Sequence, residues 1–271
     1  MSLTHSGSTT PATEIQVGLP QLHTAGSSAH LEIVREWLKD CDSHPECARQ
    51  LAKSHHRETS QESIGVPTRL IDVGRPGDKH VYLRENSSDG NEEWIALSHQ
   101  WGDPPHYSTE PHNLEERKKG MTLTEIPATF RDAIVVTRAL GHRYLWIDSI
   151  CIVQGVGGDF HSESKRMESI YSGAYCVLAA SCASDHGSGF LGSRKQREFV
   201  TLSPTGSNTS LYVCEPIDNF KEHVLDGALN RRGWVLQEHA LARRTVFFTK
   251  HQTYFECGRG VRCETMTKMS K

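Results

Sequence analysis

GHRYLWIDSICIVQ, residues 141–154, decides the reading of this chain. Tyr144, Leu145, Trp146, Ile147, Ile150, Cys151, Ile152 and Val153 make a near-continuous apolar run. Such a run predicts a strand over 144–153 that is covered on both faces. Asp148 and Ser149 interrupt it. A carboxylate inside a buried strand is costly unless it is paired or stands at the strand's end. Asp148 is therefore either a hydrogen-bond anchor or the rim of a site.

Working outward, Pro127 opens a helix whose inner face is Phe130, Ala133, Ile134, Thr137 and Leu140, and Gly141 stops it. Upstream, WIALSHQW (94–101) reads as a first core strand, closed by the turn residues 102–105. A strand, a helix and a second strand in succession argue for a parallel pair. Downstream, SESKRMESIYSGA predicts a second crossover helix with Met167, Ile170, Tyr171 and Ala174 inside. CVLAAS (176–181) is a third strand, TVFFT (245–249) a fourth and TYFEC (253–257) a fifth. Weak strands fall near 198–202 and 211–214, and a helix covers WVLQEHALARR (234–244). The alternation means an α/β domain built on a mostly parallel sheet, with helices on both faces.

The N-terminal third is different. Residues 1–29, rich in Ser, Thr, Gly and Pro, read as a disordered arm with no secretory core. Residues 30–91 form a small extension. Its helix, LEIVREWLKD, turns Leu31, Ile33, Val34, Trp37 and Leu38 inward, and a hairpin pairs TRLIDVG (68–74) with HVYLRE (80–85). The main domain spans 92–257 and a tail 258–271.

Across 271 residues the formal net charge is -3, with 36% hydrophobic and 23% charged residues. That balance gives no global field for nucleic acid, and no run is long enough for a membrane span. The eight cysteines read as reduced thiols of a cytoplasmic protein. Cys41, His44 and Cys47 offer three metal-ligand types, but their spacing fits no common zinc pattern and no fourth ligand is evident nearby. They read as a helix end and a turn, so no metal ligands and no cofactor are expected.

Sites in parallel sheets form beyond the carboxyl ends of the strands. Ser98 and His99 end the first core strand, and Asp148 and Ser149 lie in the second. Trp234 and Glu238 share one helix face, and a Glu beside a Trp is partly desolvated, which suits proton transfer or stabilisation of a developing cation. The plainer alternative pairs Glu238 with Arg231 or Arg232. Cys151 with His99 and Asp148 would make a thiol nucleophile, but flanking isoleucines argue for an inert buried thiol. GVGGD (155–159) lacks the spacing and the Lys of a phosphate loop.

Four blocks together resemble the fungal heterokaryon incompatibility (HET) domain: WIALSHQWGD (94–103), IPATFRDAIVVTRALGHRYLWIDSICIVQ (126–154), MESIYSGAYCVLAA (167–180), and RRGWVLQEHALARRTVFF (231–248) with FEC (255–257). RLIDVG (69–74) resembles the usual lead-in, and His99-Gln100 is a departure. The resemblance implies an intracellular fungal protein of non-self recognition and programmed cell death, either a stand-alone effector or a truncated product. HET domains are remotely similar to TIR domains, which implies a flavodoxin-like sheet. Some TIR domains cleave NAD at the nicotinamide–ribose bond, with a Glu in a Trp-x-x-x-Glu helix ahead of the fourth strand. Trp234 to Glu238 occupies that place here. The resemblance thus implies a NAD-hydrolase candidate with Glu238 catalytic and Ser98, His99, Asp148, Ser149 and Trp234 contacting substrate. The alternative is a non-enzymatic module that signals by homotypic assembly, its partner being itself or another incompatibility protein.

Overall fold

The computed structural model describes residues 18–47, 66–86, 92–203, 211–231 and 238–266. In chain order the extension gives α1 (Ser28–Asp42), β1 (Arg69–Asp72) and β2 (His80–Glu85). The first half of the main domain gives β3 (Trp94–Ser98), α2 (Leu114–Lys119), β4 (Met121–Thr122), α3 (Ala128–Ala139), β5 (Tyr144–Trp146) and the short α4 (Asp148–Cys151). The second half gives α5 (Phe160–Glu163), α6 (Met167–Gly173), β6 (Cys176–Ala179), β7 (Phe199–Leu202), β8 (Leu211–Cys214), β9 (Arg244–Phe248), β10 (Thr253–Cys257) and β11 (Gly260–Cys263).

One nine-stranded sheet carries the fold, in the order β11-β10-β9-β6-β3-β5-β1-β2-β4. Its centre is parallel: β3 pairs with β5 and β6, and β6 with β9. Both flanks are antiparallel, through β5-β1-β2-β4 on one side and β9-β10-β11 on the other. The expectation of a mostly parallel sheet is corrected to a mixed one. The reason is connection length: β1 to β2 and β9 to β10 to β11 are joined by short turns, which allow only antiparallel neighbours. The N-terminal hairpin is as expected, but it continues the main sheet, and the tail after 257 supplies the edge strand β11.

Residues at the two ends of β3 meet different helices. Trp94 donates its indole N–H to Ile170 O of α6 at 3.2 Å. His99, just past the strand and on the opposite side, meets Phe130 of α3 edge-on at 4.9 Å. Phe130, Ala133, Ile134 and Thr137 are buried, as the periodicity requires. Gly141 ends the helix region with φ +84, a left-handed conformation that costs glycine nothing.

α1 is capped by Ser27, whose side chain accepts from His30 N. It buries Leu31, Val34, Trp37, Leu38 and Cys41, and Trp37 stacks on Phe255 of β10 at 6.0 Å. Burial of each such apolar side chain contributes about 1.5–3 kcal/mol, far more than the intrinsic propensity of the helix. Leu19 N donates to Thr265 O at 2.8 Å, and Arg194 and Arg197 donate to His23 O and Leu19 O. Residues 18–27 are thus tied to the far end of the sheet, while residues 1–17 lie outside the described residues.

The opening stretch holds the largest local difference. A strand over 144–153 is not formed. β5 stops at Trp146, Ile147 stays extended, and residues 148–151 make a helical turn. Cys151 N donates to Ile147 O at 2.7 Å and Ile152 N to Asp148 O at 3.0 Å. A continuous apolar run does not distinguish a buried strand from a buried helical turn. The Asp decides it: at the strand's end its carboxylate accepts the Ser149 amide at 2.7 Å, which an interior strand position could not provide.

Candidate functional site

The strand ends set the site. Ser98 is the last residue of β3, on the same side of the strand as Trp94 and Ala96, and Asp148 follows the parallel neighbour β5 by two residues. Residues 238–241 are helical just ahead of β9. Glu238 there points back to the end of β3, and Ser98 Oγ donates to Glu238 Oε2 at 2.5 Å. Both residues are buried. A hydroxyl that donates to a buried carboxylate fixes its rotamer.

Asp148 is held from three sides. Besides the Ser149 amide, Trp101 Nε1 donates to Oδ2 at 2.8 Å, and His99 Nδ1 lies 3.8 Å from Oδ1. The two carboxylates, His99 and Trp101 line one cavity of about 200 Å³, walled on its apolar side by Ile152, Phe160, Met167 and Tyr171. A neighbouring pocket of about 150 Å³ shares Glu238 and Tyr171 and adds Lys165. A wider cleft of about 470 Å³ shares Trp101 and is lined by Asp103 and Asp185.

Four residues singled out from sequence therefore meet: Ser98, His99, Asp148 and Glu238. Ser149 does not join them. It is buried, its carbonyl accepts Thr109 N, and it is not among the cavity-lining residues. The cause is the helical turn, which points residue 149 away from the strand end. Trp234, with the alternative Arg232 partner, lies outside the described residues. Sequence reasoning missed Trp101 as an Asp148 ligand, and missed Met167 and Tyr171 as walls. Their spacing of four on α6 was legible as an inner face, but not that a cavity lies beneath it.

The discarded readings fare as their chemistry suggests. Burial pushes the Cys151 thiol up to about 12, which makes it a poor nucleophile at neutral pH. GVGGD is a tight structural turn. Asp159 accepts Val153 N at 2.8 Å and pairs with Arg69, and a Cβ at Gly158 would stand 2.2 Å from Val153 O. The fold brings Cys257 to Cys41, His44 and Cys47, a fourth side chain that their spacing did not reveal.

Residues 94–238, more than half of the chain, match the family described as Heterokaryon incompatibility protein (HET). The chain belongs to the HET family. No curated protein and no solved structure matches it. The HET match begins at the first residue of β3 and ends on Glu238, so it contains every residue of the cavity. It leaves outside α1, the β1–β2 hairpin and the β9–β11 flank. No helix of the HET protein, among the described residues, is long and apolar enough to cross a membrane.

Proposed function

We propose that this HET protein is a cell-death and non-self-recognition effector of the heterokaryon-incompatibility type, acting by hydrolysis of NAD at the nicotinamide–ribose bond. The observation that carries the reading is the buried Glu238 carboxylate, oriented by Ser98 at 2.5 Å, at the wall of a cavity beyond the parallel strand ends. The order of the four parallel strands supports it. By chain rank it runs 2-1-3-4, the order of flavodoxin-like sheets, whose ligand crevice lies at the strand where the direction of winding reverses.

In this reading the C1′–N bond breaks and its electron pair leaves with the pyridinium, which departs as neutral nicotinamide. The ribose is left as an oxocarbenium-like cation, stabilised by the Glu238 carboxylate. Water adds at C1′ and gives its proton to a carboxylate of the cavity or to solvent, yielding ADP-ribose. Asp148, held by the Ser149 amide and the Trp101 indole with His99 3.8 Å away, is a positioning group and not the reacting one. The cavity is smaller than the roughly 300–1,000 Å³ typical of whole-ligand pockets. It suits the nicotinamide-ribose end alone. Asp103 and Asp185 disfavour the diphosphate on the Trp101 side, so the diphosphate leaves past Lys165.

The test is nicotinamide release from NAD by the full chain, with and without a crowding agent. Glu238→Gln keeps the shape and a partner for Ser98 while removing the charge. Its rate is expected to fall by about 10²-fold or more, with near-UV circular dichroism unchanged. No release by the wild type under assembled conditions, with cell killing intact in Glu238→Gln, overturns the enzyme reading.

A second reading, signalling by homotypic assembly, is favoured by β7 and β8. Among the described residues these pair only with each other, and they expose Val200, Leu202 and Val213.

A further inference from the structure

Cys41 ends the buried stripe of α1. His44 and Cys47 follow in the next turn, where His44 N donates to Cys41 O at 3.0 Å and Cys47 N to His44 O at 3.1 Å. Cys257 comes from the far end of the chain, as the last residue of β10. All four side chains are buried, and their sulfur and nitrogen ligand atoms lie within 4.8 Å of one another. His44 Nδ1 faces Cys257 Sγ at 3.6 Å and Cys47 Sγ at 3.8 Å. We propose that Cys41, His44, Cys47 and Cys257 bind one zinc ion, a structural site that staples α1 to the sheet.

The distances fit. With Zn–S of about 2.3 Å and Zn–N of about 2.0–2.1 Å, the edges of a tetrahedron are about 3.5–3.8 Å. The two printed sulfur–nitrogen separations already lie there, and small thiol rotations close the wider pairs. The donor set fits as well. Three thiolates and one imidazole, with no position left for water, are a closed structural site, and soft sulfur ligands in tetrahedral array select zinc over magnesium or calcium.

The surroundings are those of a metal histidine. Asp40 Oδ2 lies 3.2 Å from His44 Nε2, so that nitrogen carries the proton and Nδ1 is left as the bare donor atom. Asp40 is itself paired with Arg262 of β11. A chain Arg262–Asp40–His44 thus orients the ring from outside. Three thiolates around a dication leave one net negative charge. Binding releases the three thiol protons to solvent.

The site lies outside the matched HET segment at both ends, and it joins those ends. It also reaches the cavity indirectly. His239, next to Glu238, pairs with Glu256 at 2.5 Å, and Glu256 is next to Cys257.

The experiment uses the full chain, purified without a metal-affinity tag under reducing conditions and dialysed. Elemental analysis is expected to give about one zinc per chain. Cobalt substitution is expected to give the visible bands of a tetrahedral thiolate site. Cys257→Ser is expected to lose the metal. Because that variant could also fail to fold, His44→Cys serves as a second. It keeps four ligands and is expected to retain one metal with a shifted cobalt spectrum. A wild-type chain without zinc that takes up no cobalt overturns the proposal. So does zinc retained undiminished in a folded Cys257→Ser, or a cobalt spectrum identical in His44→Cys.

Discussion

At the scale of single residues, several buried polar groups take their partners from distant parts of the fold. His30 shows it outside the site. Its side chain is fully buried, with Nδ1 accepting from Gly26 N at 3.0 Å and Nε2 facing Thr253 Oγ1 at 2.7 Å. The first bond fixes the neutral tautomer with its proton on Nε2. Burial lowers its pKa from 6.5 to about 4, against a partial opposing pull from Glu264. Because the folded value is below the unfolded one, the unfolded chain binds the proton first as pH falls. The contribution of His30 to stability is full above about pH 6.5 and is lost progressively between 6.5 and about 4, at up to ~1.4 kcal/mol per pH unit. Urea unfolding at pH 7 and pH 5 is expected to show this loss, and His30→Gln is expected to flatten it. An equal pH slope in both proteins would contradict the assignment.

At the scale of elements, the strand ends build the site and the β7–β8 ribbon stands apart from it. Val200 and Val213 are directly opposed across the ribbon, so with Leu202 they make one exposed apolar face. Paired strands with free edges and an apolar face are a template for self-association. If assembly is the working mode, Val213→Lys places a charge at the centre of that face. Light scattering is then expected to show a chain that no longer assembles, while its far-UV circular dichroism is unchanged. Assembly that persists with Lys at both 200 and 213 places the contact elsewhere. The ribbon was legible in the sequence near 198–202 and 211–214, because β-branched runs keep their period when isolated. That it pairs with itself rather than the main sheet was not legible, since periodicity carries no partner information.

At the scale of the whole molecule, the N-terminal helix and the C-terminal strands form one body with the HET segment. Arg244, at the start of β9, donates to Tyr175 O at 2.6 Å and Asp42 Oδ1 at 2.7 Å, and lies over the Tyr175 ring at 4.1 Å. One buried guanidinium therefore ties α1, β6 and β9 together. Arg244→Ala is expected to cost about 2–4 kcal/mol, because buried carbonyls lose their donor. It is measured as a lower urea midpoint in a single transition. Separate transitions for the N-terminal region and the sheet would show that the parts are independent.

Local sequence determined the pieces that depend on neighbours in the chain. These are the amphipathic faces of α1, α3 and α6, the stop at Gly141, and the cores of β3, β6, β9 and β10. It also determined the pairing of Ser98 and His99 at one strand end, because alternation and helical period are local properties. The tertiary structure decided what depends on long-range contact. The stretch 141–154 breaks into a short strand and a helical turn because Asp148 finds its donors at the strand end, from Ser149 and Trp101. The sheet is mixed because the hairpins at both ends of the chain add antiparallel strands to a parallel centre. Ser98 meets Glu238, and Cys257 meets His44, across separations of 140 and 213 residues. No local pattern encodes such meetings, since they follow from the order in which strands lie side by side.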